Sequence, residues 1–238
     1  RQDEWRAVLT QATADAGERL EVDGDWAGSM PLAVAAAALG RDAAAAGGAT
    51  VAGVLHAVRD DGRWSGTAEG RVDGLELDRC TARLQARAAG TATAVIRRLA
   101  WGGGRIRDAE IECSVGRGRV EQRLVDGLVS TIGCRPGAAH RTLSGATQRT
   151  FAAAGCVLRL DPRGVELLSG PQLGGALAVA DGVSIVHPPA AVLPPERLAW
   201  LLAPPGAVFV PSAGPGAWLL DVMPRAEQAA RPGAGGGF

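Results

Sequence analysis

The 238-residue chain carries 25 basic and 25 acidic residues and no net charge, and every basic residue is Arg. It is long enough to bury a core in one large domain or two modest ones. Asp and Glu interleave with the arginines, as in Arg71-Val72-Asp73 and Arg105-Ile106-Arg107-Asp108, which excludes the uncompensated basic surface a nucleic-acid binder needs for counter-ion release.

Lys, Asn and Tyr are absent while Ala, Gly, Arg and Pro abound, the signature of a GC-rich genome and not of a binding function. No run reaches the ~18 apolar residues of a membrane-spanning helix; the longest weakly polar stretch, residues 30–40, is mostly Ala. The first residue is Arg1 and not Met, so any signal peptide or anchor helix is expected in a segment outside this chain.

Trp5, Val8, Leu9, Ala12, Ala16 and Leu20 recur at helical spacing, with Asp3 and Glu4 placed for a positive helix N-terminus; they predict an amphipathic helix. The Ala-rich residues 31–46 fit a helix, or a strand with a loose loop. From Thr50 the period changes to two. In residues 63–72, Trp64, Gly66, Ala68, Gly70 and Val72 share one face, with Arg63, Ser65, Thr67, Glu69 and Arg71 on the other. Residues 81–88 repeat this with Ala82, Leu84, Ala86 and Ala88, and residues 107–115 with Ala109, Ile111, Cys113 and Val115. Such alternation predicts antiparallel strands with one buried and one wet face. Asp61-Gly62, Asp73-Gly74 and Gly102-Gly103-Gly104 read as hairpin punctuation. Trp64, Leu84, Trp101 and Ile111 are the candidate apolar sheet face.

Val120, Leu124, Leu128 and Ile132 step by four and predict a helix capped by Gly133, whose apolar stripe must cover the sheet or its end. Beyond a Gly/Ser/Thr loop at residues 137–147, strands are expected at 151–160 and 164–168 around the turn Asp161-Pro162-Arg163-Gly164. Two more, 177–180 and 183–187, flank Asp181-Gly182. Pro194-Pro195-Glu196 opens a short helix, and 217–222 reads as a last strand. The expected architecture is mainly β with a few helices: a curved antiparallel meander, an open half-barrel, with a helix packed on it or capping it. Residues 1–230 read as a single domain, with a sub-boundary near 137–147, and residues 231–238 as a disordered Gly-rich tail.

No catalytic residue, metal site or cofactor is identified. His56 and His187 fall in strands, where structural roles are the ordinary case, and His140 falls in a polar loop where it is expected to be solvated. No second ligand stands at metal-binding spacing from any of them, and no G-x-S-x-G elbow occurs. Asp60-Asp61 precede a turn glycine, which accounts for them conformationally. Gly116-Arg117-Gly118 meets neither phosphate-loop pattern. Cys80, Cys113, Cys134 and Cys156 are widely spaced without C-x-x-C, which argues against zinc. They read as buried free thiols or as one or two disulfides, with three full pairings open.

Gly66, Gly70, Gly74, Leu75, Leu77, Gly102 to Gly104, Gly116 and Gly118 form successive glycine-punctuated hairpins followed by a short helix. In this pattern residues 65–128 resemble the C-terminal region of the AsmA-like envelope proteins, relatives of TamB. The resemblance implies a non-enzymatic bacterial periplasmic protein, anchored at the inner membrane through a segment missing from this chain. It would bind or transfer lipid on an apolar sheet surface, or assist outer-membrane assembly. The alternative is a scaffolding module of an envelope or secretion complex that binds a protein partner through its sheet.

Overall fold

Alternating strands are stable only when neighbours satisfy their backbone groups and one face is covered. The computed structural model describes residues 6–14, 17–34, 47–82, 86–141, 146–201 and 220–224. In it, β1 (Arg6–Ala14), β2 (Gly17–Pro31), β3 (Thr50–Asp60) and β4 (Arg63–Glu76) form an up-and-down run. A short excursion carrying β5 (Ala88–Ala89) follows, and the run resumes with β6 (Thr91–Gly102) and β7 (Arg105–Val115). After β8 (Gly118–Glu121), β9 (Arg135–Pro136) and β10 (Gln148–Phe151), the chain returns through β11 (Ala153–Asp161), β12 (Gly164–Ser169), β13 (Ala178–Ala180) and β14 (Val183–His187).

The large sheet holds 11 strands in the order β1-β2-β3-β4-β6-β7-β11-β13-β14-β9, with β12 also paired to β11. It is antiparallel and open, and a second sheet joins β10, β8 and β5. The mainly β, antiparallel architecture read from the sequence is therefore the one observed.

Register assigns the faces. Asp23 pairs with His56, His56 with Thr67 and Thr67 with Ala100, while Gly24 pairs with Leu55, Leu55 with Ala68 and Ala68 with Leu99. Since directly opposed residues share a side, the first row lies on a polar face and the second on an apolar one. The apolar row continues through Leu99–Ala109 and Ala109–Leu160 pairs to Leu160–Val165.

Two-residue turns close the hairpins as their sequences require. Asp61 and Gly62 have φ of 47° and 74°, and Asp181 and Gly182 have φ of 49° and 77°, the paired positive values of a turn that matches strand twist. Asp73-Gly74 behaves differently. The sequence predicts a hairpin there, but β4 runs on to Glu76 and the pair forms a β-bulge, where the register against β6 slips between Val72 and Leu75. Gly74 supplies the positive φ of 76° that the bulge needs. A second bulge in β6 slips the register between Ile96 and Arg98 against β7.

The covered part of the apolar face lies toward the C-terminal strands. A helix, Gln122–Gly127, continues as a π-helix, Leu128–Ile132, and stops at Gly133 with φ 81°. Its buried Val125 and Ile132 pack with Ala109, Phe151, Leu160, Val165, Ile185 and Val186 in the main core. Burying each of the larger aliphatic side chains contributes about 1.5–3 kcal/mol. A smaller cluster joins Ala49, Val72 and Ala94 under Val51, Leu75 and Ile96. Ile111 touches both.

Four further expectations are corrected. The helix predicted from Trp5 to Leu20 is instead, over the described residues, the hairpin β1–β2, with Trp5 and Ala16 outside them; Leu20 and Val22 alternate with Glu21 and Asp23, and backbone pairing to β3 outweighs the helical spacing. Within the strand predicted at 81–88, Thr81 and Ala82 form the turn that ends a short helix, Leu77–Cys80, and Ala88 is strand, at β5; residues 83–85, Leu84 among them, lie outside the described residues. Thr81 sets that turn, donating its hydroxyl to the Leu77 carbonyl at 2.7 Å and accepting the Ala88 N–H at 3.1 Å. The helix begins at Gln122 and not near Val120, because Val120 is taken by pairing with Arg149 and Ala88. Residues 220–222 are helical and not strand, while 217–219 and the tail at 231–238 lie outside the described residues. In the ambiguous 31–46 stretch, 32–34 are helical and 35–46 lie outside the described residues.

Candidate functional site

Glycine opposite an aromatic residue lets the ring lie flat on the neighbouring backbone. Gly66 pairs directly with Trp101, and a Cβ there would stand 2.6 Å from the indole. On β2, a Cβ at Gly24 would stand 2.7 Å from the Trp26 ring. Trp26, Trp64 and Trp101 all fall on the apolar face, one each on β2, β4 and β6, with β3 between the first two. Leu20, Val22, Trp26, Leu55 and Trp101 are half-buried and Trp64 is 39% exposed.

Of the candidate face residues, Trp64 and Trp101 are thus brought together. Ile111 shares their side but is packed between the two clusters. Trp26 was not singled out by the sequence, because its segment reads as following a helix.

The opposite face is ionic. Arg98 holds Asp108 at 2.8 Å, Arg97 holds Glu112 at 2.6 Å, and Arg159 bridges Glu110 at 3.2 Å and Glu166 at 3.5 Å. The β6 bulge puts two successive arginines over this face, which strict alternation forbids. Arg71 and then Thr93 hydrogen-bond Asp73 and hold its carboxyl below the usual range.

Toward the other end of this face, Glu21, Asp23 and His56 place their ligand-capable atoms within 4.8 Å of one another. His56 Nδ1 lies 2.7 Å from Asp23 and 3.9 Å from Glu21. The Asp23 hydrogen bond raises the imidazole above its ordinary 6.5. A shallow cavity of about 400 Å³ lies alongside, lined by Val8, Asp25, Val54, Thr67 and Glu69 among others. One imidazole and two carboxylates are a ligand set for a borderline divalent ion, and the His–Asp ion pair already accounts for the geometry.

His140 is not the solvated loop residue expected: its side chain is 17% exposed, Nε2 stands 3.5 Å from Asp126 and Nδ1 is buried without a hydrogen-bond partner. Its backbone carbonyl accepts from Arg149 Nη1 at 2.8 Å, and Arg149 Nη2 reaches the Ala139 carbonyl at 2.5 Å. His187 Nδ1 lies 3.0 Å from the Gly175 carbonyl, a structural contact.

All four cysteines are free thiols. Cys80 is exposed and Cys134 is buried, its thiol pushed up to about 11 by desolvation. Cys113 and Cys156 stand directly opposite each other on β7 and β11. The hydrogen bond from Cys156 lowers the Cys113 thiol, and the same contact together with burial raises Cys156.

Fold and faces define the class: an open antiparallel β-sheet protein with one ionic side and one apolar side. Comparison with known proteins finds no matching family model, no similar curated protein and no similar solved structure.

Proposed function

We propose that this is a non-enzymatic envelope protein of the AsmA-like type, which binds acyl chains on the apolar face of β2, β3, β4 and β6. In this reading it works in the periplasm, held at the inner membrane by a segment outside this chain. The observation that carries it is the division of one face. Its C-terminal half is filled by the 122–132 helix, whereas Leu20, Val22, Trp26, Leu55, Trp64 and Trp101 are not buried. Indoles lying flat over glycines offer a smooth floor for an apolar chain, and their N–H groups suit a boundary between lipid and water.

The test is a fluorescent fatty-acid probe titrated against stringently delipidated protein, with native mass spectrometry of the protein before delipidation. Bound lipid and saturable probe binding are expected. Trp64→Glu should weaken the probe at least about ten-fold, since it sets an unpaired charge on the floor. Absence of both co-purified lipid and probe affinity refutes the proposal.

A second reading rests on the sheet edge. Among the described residues β1 pairs on one side, with β2, and an unfilled edge can accept a strand from a protein partner. A stoichiometric protein partner recovered with lipid-free chain favours this scaffolding role.

A further inference from the structure

We propose that Cys113 and Cys156 are a modification site: a thiol pair that closes to a cross-strand disulfide and joins β7 to β11. This inference is independent of lipid binding. Seven consecutive residue pairs lock the register of the two strands, and the two cysteines are one of them. Directly opposed residues of antiparallel strands have Cα atoms about 4.5–5.5 Å apart, inside the roughly 4.4–6.8 Å that a disulfide spans. The side chains share the apolar face, so neither must cross the sheet to meet the other. Gly155, next to Cys156, keeps the backbones close: a Cβ there would stand 2.7 Å from the Cys113 carbonyl oxygen.

The chemistry is thiol–disulfide exchange with a small-molecule disulfide such as oxidised glutathione. Cys113, the more acidic thiol of the pair, loses its proton and attacks one glutathione sulfur, expelling the first glutathione thiolate. Cys156 then loses its proton and attacks the Cys113 sulfur of the mixed disulfide, expelling the second. One S–S bond forms and one breaks; the protein loses two protons and two electrons, and the oxidant becomes two thiols. Cys134 stands outside this ladder, between the π-helix and β9, and is not opposed to either cysteine in the register of β7 and β11.

The experiment incubates the native full chain with oxidised glutathione at pH 8, alkylates remaining thiols and maps tryptic peptides by mass spectrometry. Free thiols should fall from four to two. Residues 108–117 and 150–159 should appear as one linked species, lost on treatment with dithiothreitol. Cys113→Ser should abolish that species and leave Cys156 alkylatable or carrying glutathione. Linkage of Cys156 to Cys134 or Cys80 overturns the proposal, as does glutathione on both Cys113 and Cys156 without linkage, or continued alkylation of both.

Discussion

Replacing Ile185 by Ala measures whether the C-terminal half of the apolar face is a packed core. Ile185 is 0% exposed, while Val183, two residues earlier on the same strand, is 44% exposed. The Ile185 change removes three buried carbons, about 2.4 kcal/mol at about 0.8 kcal/mol each. Incomplete collapse around the cavity brings the loss to about 3–4 kcal/mol. Val183→Ala removes two carbons that are already nearly half exposed and should cost less than about 1 kcal/mol. For a chain of this length each kcal/mol moves Tm by about 2–4 °C, so Ile185→Ala should lower it by about 6–16 °C. Urea unfolding followed by tryptophan fluorescence gives both losses, with an unchanged slope for each variant. Equal losses at the two positions, or a loss below about 1 kcal/mol at Ile185, would mean that this half is loosely filled. The contrast between a covered and an open half would then disappear, and the lipid proposal with it.

Thr81→Val keeps the shape of the side chain but leaves the buried Ala88 N–H without its acceptor, and should cost about 1–3 kcal/mol in thermal unfolding. Faster amide exchange at Ala88 checks the cause. Arg149→Lys should cost about 1–3 kcal/mol, because an ammonium cannot span the Ala139 and His140 carbonyls and Gln122 as the guanidinium fork does; urea unfolding reads the loss. His56 should titrate in proton NMR with a midpoint above 6.5, and Asp23→Asn should return it toward that value. Since the folded value is raised, this pair's stabilisation is fully present below 6.5 and is lost as pH rises through the folded midpoint.

What the sequence revealed was local. Arg63 to Val72 and Arg107 to Val115 alternate without interruption, and Asp61-Gly62 and Asp181-Gly182 carry turn chemistry in adjacent residues, so these elements were legible. The N-terminal hairpin was not, because Val8, Leu9 and Ala12 fall at helical spacing and Val8 and Leu9 break any alternation; backbone pairing of β1 with β2, and of β2 with β3, overrides that spacing. Thr81 hides its turn in hydrogen bonds to residues four before and seven after it. The candidate sites were least legible of all. His56 meets Asp23 across 33 positions, and Cys113 meets Cys156 only after a long excursion returns to the sheet. Trp64 and Trp101 were found as apolar strand residues, but that their half of the face is less buried depends on where the 122–132 helix docks.

The irregularity at Arg97 has a consequence for chain length. Ala92, Ala94 and Ile96 point inward at even positions, and Leu99 and Trp101 point inward at odd ones. The extra residue absorbs that change of parity. Deleting Arg97 should therefore straighten the ladder without reversing a single side chain, whereas deleting Ala94 would turn one end of the strand inside out. Along β6, the Arg97-Arg98 step is where the polymer can lose a unit and keep its two sides distinct, because that step is the one that breaks the rhythm.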